Sequence, residues 1–276
     1  MKFGTFARIT SIGKADESFR TIIEYGLEAC QLQYRPEKFI DADAQIIRNA
    51  AKKYNVDISA MGAGFYDTYT SWDTYFDYKL AGINSPFFGE SRINRVINAA
   101  RFAKEIGISD IIIHAGFVPN DPFATEYSVM LAAVRAIGVK LKSMEMNLLF
   151  ETGGESPITL LRLIQDAGLD NLFINYDTAN LIMYGYGNPV DALYTFGKYV
   201  RHMHAKDGFP PTDPKYIGKE APIGQGYVDF KKIFELLKGI GYNRYVIIER
   251  EINDEEHAKG IRDSITYLKN IYTAIN

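Results

Sequence analysis

The chain has 276 residues, 47% of them hydrophobic, enough to bury a large core in one domain spanning 1–276. Its 31 basic and 34 acidic side chains leave a formal charge of -3, which offers no general attraction to nucleic acid or to an anionic membrane. Cys30 is the only cysteine, so no intrachain disulfide can form and a reducing cytoplasm fits.

From the first residues onward, short apolar runs alternate with longer segments of helical period. This is the grammar of repeated βα units around a parallel sheet. Eight strands are expected: "KFGTFA", "ACQLQY", "VDISAMG", "DIIIHAG", "NLLFETG", "LFINYDT", "VRHMHAKD" and "YVIIERE". Eight units predict an α/β fold closed as a single (β/α)8 barrel. The opening "MKFGTFARIT" lacks the continuous apolar core of a signal peptide, and no run approaches the roughly 18 residues of a membrane span. A soluble, cytoplasmic protein with no membrane partner is therefore expected.

Between the strands, "SRINRVINAARFAKEIGI" predicts a helix whose buried stripe is Ile93, Val96, Ile97, Ala100, Phe102 and Ala103, stopped by Gly107. "SPITLLRLIQDAGLD" predicts a second, with Ser156 capping and Pro157 in its first turn. "DFKKIFELLKGIGY" predicts a third, before the last strand. Two connections are longer than a minimal turn, the segments 65–90 and 208–230 after the third and seventh strands. Long βα loops lie on the catalytic face of a barrel, so both are candidate lids.

The later strands end on charge. Glu151, Asp177, His204 and Glu249 close strands five to eight, at intervals of 26, 27 and 45 residues where a βα unit takes about 30. Carboxylates at the ends of neighbouring strands share one mouth and repel unless a cation balances them. Three carboxylates and an imidazole form a mainly oxygen site for one divalent ion: manganese, cobalt, magnesium or zinc. His202 has the same parity as His204, and nearness to the strand end favours His204.

The phrases "IIIHAG", "FETGGESP", "YDTAN", "HMHAKDG", "PIGQGYVDF" and "IIERE" resemble, in order, the xylose-isomerase-like barrels, which include sugar and sugar-phosphate isomerases and epimerases and the AP-endonuclease-type nucleases. The resemblance implies that Glu151, Asp177, His204 and Glu249 hold the metal. It also implies that Glu151 and Glu249 move protons on opposite faces of a ketose carbon, as in 3-epimerases. Candidate sugar contacts are His114 at its strand end, Glu155, Lys206, Asp207 and Arg250. Trp72, with Tyr66, Tyr69 and Phe76 near it, is a candidate cover from the third loop. "GQG" at Gly224 to Gly226 reads as a loop turn near the substrate, since a short Gly-x-Gly without a full fingerprint is a weak phosphate signal.

The implied partner is a small sugar or sugar phosphate, on a homo-oligomer of dimer or tetramer type. A dehydratase or a hydroxypyruvate-type isomerase would keep the same fold and metal, and a non-catalytic sugar-binding barrel is a further alternative. The nuclease branch departs from this sequence, which has 4 His in all and Asn180 where that branch carries a histidine.

Overall fold

Eight strands rich in Val, Ile and Leu pair side by side in parallel and close on themselves. The computed structural model describes residues 1–65, 72–73, 77–83, 85–252 and 256–275. The barrel strands are β1 (Lys2–Phe6), β2 (Ala29–Gln33), β3 (Asp57–Gly62), β4 (Asp110–Ile113), β5 (Asn147–Glu151), β6 (Leu172–Asp177), β7 (Val200–Ala205) and, after a hairpin, β10 (Tyr245–Ile248). The hairpin pairs β8 (Asp207–Phe209) with β9 (Lys219–Ala221) antiparallel. Part of the seventh connection, expected as a candidate lid, is thus a two-stranded hairpin.

Among the described residues the helices are α1 (Ala15–Glu24), α2 (Asp43–Lys53), α3 (Gly89–Ile106), α4 (Thr125–Lys142), α5 (Pro157–Ala167), α6 (Asn180–Met183), α7 (Pro189–Phe196), α8 (Phe230–Gly239) and α9 (His257–Ala274). Strand parity divides the apolar residues into two cores. Outward side chains such as Ile111, Leu148, Ile174 and Val246 pack under the helices, whereas Ala60, Ile112 and Leu149, with Phe173 against them, form a small cluster in the bore. No helix among the described residues is long and apolar enough to cross a membrane.

Two expectations for the helices change. In α3, Ile93 and Ile97 are only half-buried, and Arg92 is buried in the stripe. Its guanidinium donates to the carbonyls of Leu80 and Gly82 and lies about 5.1 Å from the Phe65 and Phe88 rings, so its charge is compensated by carbonyls and π-faces. At α5, Pro157 occupies the first turn, but the Ser156 hydroxyl shares a hydrogen bond with Thr159 Oγ1 and caps no backbone N–H.

The floor of the barrel is polar. Asp110 at the start of β4 accepts from Arg201 Nε (2.8 Å), His202 Nε2 (2.8 Å), Arg244 Nη2 (3.4 Å) and Asn147 Nδ2 (2.7 Å). Burial alone would favour its neutral form, but the His202 and Arg201 partners overcome it and hold the carboxyl well below its usual range. The His202 ring stacks on Tyr245 at 5.4 Å. A register shift between Ile174 and Asn175 sets Asn175 opposite His202 and Asp177 opposite His204, which fixes the two histidines at different heights in the bore.

Candidate metal centre at the mouth of the barrel

Because β5, β6, β7 and β10 are adjacent or nearly so in the closed sheet, the side chains at their C-terminal ends converge. One ligand-type atom from each of Glu151, Asp177, His204 and Glu249 lies within 4.8 Å of all the others. His204 Nδ1 is 3.2 Å from Glu151 Oε1, 3.1 Å from Glu249 Oε2 and 3.9 Å from Asp177 Oδ2. His202 stays at the floor, bonded to Asp110.

The residues around the cluster aim its atoms. Asp177 Oδ1 accepts from the backbone N–H groups of Ala179 (2.9 Å) and Asn180 (2.7 Å), while the Asp177 backbone N–H donates to Thr152 Oγ1 at 2.9 Å. That leaves Oδ2 buried in the cluster with no hydrogen-bond donor from the described residues, as expected of an oxygen that faces a cation. On the imidazole, Nε2–H donates to Gln31 Oε1 at 2.7 Å, which turns Nδ1 toward the carboxylates. Gln31 reaches there from β2, across the bore, and is buried. It was missed in the sequence because a glutamine in the middle of a strand carries no signature; the only signal was a polar residue inside the apolar run "ACQLQY".

Charge in the cluster is tightly shared. Burial opposes ionisation of His204, but the Glu151 and Glu249 carboxylates outweigh it and hold the imidazole protonated well above its usual range. Burial likewise opposes ionisation of Glu249, yet Lys206 and His204 keep its carboxyl well below the usual value. Asp177 goes the other way, pushed well up by burial. A protonated imidazole thus stands among the carboxylates where a divalent ion would bring its charge. Three carboxylates, a turned imidazole and an orphaned carboxylate oxygen fit a divalent metal.

The remaining candidates divide. His114 Nε2 stands 3.5 Å from Glu151 Oε1, at the mouth. Trp72 covers it, ring centroids 4.8 Å apart, from a backbone with φ of 61°, a left-handed conformation unusual for so large a side chain. Tyr66, Tyr69 and Phe76 lie outside the described residues. Lys206 is buried, with Nζ 2.8 Å from Glu251 Oε2, 3.4 Å from Asn180 Oδ1 and 3.8 Å from Glu249 Oε2. Glu155 is buried too, held by the Gly153 N–H at 3.4 Å.

Asp207 has a different task from the sugar contact expected of it. Its carboxylate accepts from the backbone N–H groups of Gly208, Gly224, Gly226 and Val228 at 2.9–3.1 Å. "GQG" is therefore a turn wrapped on an aspartate: a Cβ at Gly226 would fall 2.2 Å from Asp207 Oδ1, and Gly224 has φ of 87°. Arg250 leans its side chain on Gly260 at the start of α9, where a Cβ would lie 2.7 Å from Nε.

Comparison with known proteins follows the same lines. Residues 19–271 match the family model described as xylose isomerase-like TIM barrel, so the match reaches into the N-terminal third, where short phrases carried little resemblance. An uncharacterized protein of Methanocaldococcus jannaschii is 22% identical over 96% of this chain and 86% of its own length. An inosose dehydratase of Clostridium botulinum is 22% identical over 46% of this chain, and the match spans about half (47%) of that enzyme. Among solved structures, a xylose isomerase domain protein from Planctomyces limnophilus superposes with a TM-score of 0.88 at 27% identity, covering 93% of this chain and 92% of its own. A D-tagatose 3-epimerase-like protein gives 0.77 at 21%, covering 100% and 98%. A xylose isomerase-like barrel from Mycobacterium smegmatis, solved with magnesium, gives 0.70 at 16%, covering 99% and 95%.

Proposed function

The chain belongs to the xylose isomerase-like TIM barrel family, and from that premise we propose that it is a metal-dependent isomerase of sugars or sugar phosphates, of the ketose 3-epimerase type. The observation that carries this reading is the convergence of Glu151, Asp177, His204 and Glu249 at one end of the bore, with Glu151 Oε1 and Glu249 Oε2 at 3.2 and 3.1 Å from His204 Nδ1. When bound, a divalent ion would polarise the ketose carbonyl and lower the cost of enediolate charge.

The protein's own groups do the rest. One of Glu151 and Glu249 removes the proton from the carbon beside the carbonyl, and the other returns a proton from the opposite face. His114 and Lys206 stand where sugar oxygens would lie, and the indole of Trp72 closes the mouth against water. The partner is a small molecule rather than nucleic acid, and a cytoplasmic setting accords with the single buried thiol of Cys30.

The reading is tested by incubating metal-loaded protein in D2O with free and phosphorylated ketopentoses and ketohexoses and following deuterium by NMR. Incorporation at C3 is expected. Incorporation at C1 or C2 would make it an aldose-ketose isomerase, and none on any sugar would overturn the isomerase reading.

One observation favours a dehydratase instead. Burial pushes the Glu155 carboxyl up to about 8, so at neutral pH it carries a proton beside the mouth. Epimerisation has no need of a third acid, whereas loss of water needs one to protonate the departing hydroxyl. The partial match to inosose dehydratases points the same way. Loss of water from a keto-inositol, with no C3 exchange on ketoses, would decide for it.

A further inference from the structure

The mouth is not uniform. On the side formed by β1, β2 and β10, a pocket of about 460 Å³ opens directly beside the metal cluster, with Glu249 in its wall. Phe6 forms the shared partition, its ring 5.4 Å from the His204 ring. Below, Leu32 and Met61 give the pocket an apolar floor.

Its rim is cationic. Arg8, Arg35, Lys38 and Arg250 all line it, against two carboxylates in its wall, Glu249 and Glu251, with Glu37 Oε1 3.4 Å from Arg35 Nη1 outside it. Both wall acids already face other cations: Glu249 lies against His204, and Glu251 lies 2.8 Å from Lys206 Nζ. The chain as a whole carries a formal charge of -3, so four basic side chains around one pocket run against the general balance. Arg8 also donates to the Arg250 carbonyl at 3.3 Å, which ties the first and eighth βα loops together at the rim. A cation in the neighbouring cluster would add to the same positive field.

Resting on the ketose reading above, we infer that this pocket binds the anionic end, phosphate or carboxylate, of a ketose whose reacting carbon lies between Glu151 and Glu249. In this arrangement the carbonyl end is held at the acidic cluster and the far end lies against Arg8, Arg35 and Lys38, with Phe6 between them. Guanidinium groups match such a terminal anion in bidentate fashion, and Lys38 adds a point charge.

Calorimetric titration of the metal-loaded protein tests this without turnover. The probes are D-xylulose and D-xylulose 5-phosphate, D-fructose and D-fructose 6-phosphate, and 5-keto-D-gluconate as the carboxylate-ended ketose. The anionic member of at least one pair is expected to bind at least about tenfold more tightly than its neutral counterpart, roughly the contribution of one charge-assisted contact. In R8Q/K38Q that ratio should fall toward one. Preference for the phosphates identifies a phosphate end, and preference for 5-keto-D-gluconate alone identifies a carboxylate end. Equal binding of charged and neutral ketoses, no binding of any charged ketose, or a preference that survives in R8Q/K38Q would overturn the inference.

The two readings fail separately. Deuterium exchange on neutral ketoses without an anion preference would remove the anion pocket and keep the epimerase. Binding of charged ketoses that depends on Arg8 and Lys38, with no exchange on any sugar, would keep the pocket and remove the epimerase.

Discussion

Replacing Glu151 or Glu249 with Gln keeps the size of the side chain and removes its basicity, so each change should lower C3 proton exchange roughly a thousandfold while leaving the far-UV circular dichroism intact. Substantial exchange in both variants would eliminate the paired-base mechanism. Gln31 acts one step back, by holding His204 Nε2–H. Gln31→Leu should weaken metal binding about 10- to 100-fold, read by titration of the metal-free protein. H204N should lose far more metal than H202N, because His202 bonds to Asp110 at the opposite end of the bore. These residues differ in how legible they were. A ligand-type side chain after an apolar run stands out, and three carboxylates and a histidine on successive strands point to one mouth, but Gln31 acts across the barrel and only the closed fold brings it to His204. Asp207 and Lys206 looked alike in "HAKDG". Whether a polar group faces the mouth or its own loop depends on where the backbone N–H groups of residues 208–228 come to lie, and spacing alone does not reveal that.

At the scale of elements, the expected strands appear within a residue or two at most ends, because each is a short apolar run between turns. Helix faces were harder to read. Arg92 is absent from the apolar stripe expected of α3, yet it is a buried pin whose hydrogen bonds to Leu80 and Gly82 hold the segment before α3. The seventh connection was expected as a long loop and candidate lid; Asp207 gathers its start and its end by four backbone N–H groups, and β8 at its start pairs with β9 in its middle. Asp207→Ala should therefore free 208–228. Limited proteolysis is expected to cut the variant in that segment well before the parent protein, and unchanged cleavage would show that the β8–β9 pairing suffices.

For the whole molecule, the two ends of the barrel do different work: one gathers ligands, the other clamps the strands together through Asp110. Asp110→Asn leaves Arg201 and Arg244 without their counter-charge and should cost about 3–5 kcal/mol in urea unfolding. The Asp110 carboxyl is depressed in the folded state, so its contribution is complete above the ordinary aspartate range and fades as pH falls through the lower folded value. The parent's margin over the variant should be largest at neutral pH and narrow as the pH falls. At the other end the sign reverses. The His204 imidazole is raised, so its ion pairs with Glu151 and Glu249 support the metal-free protein at and below neutral pH and weaken as pH rises through the higher folded value. A metal ion must displace that proton to be ligated, so the rise in melting temperature on adding manganese should grow as pH rises above the ordinary histidine range. A constant increment would mean that no proton is exchanged. The imidazolium thus fills, in charge, the place a divalent ion would take, so the mouth of the barrel is already neutralised and closed around its carboxylates before any ion arrives.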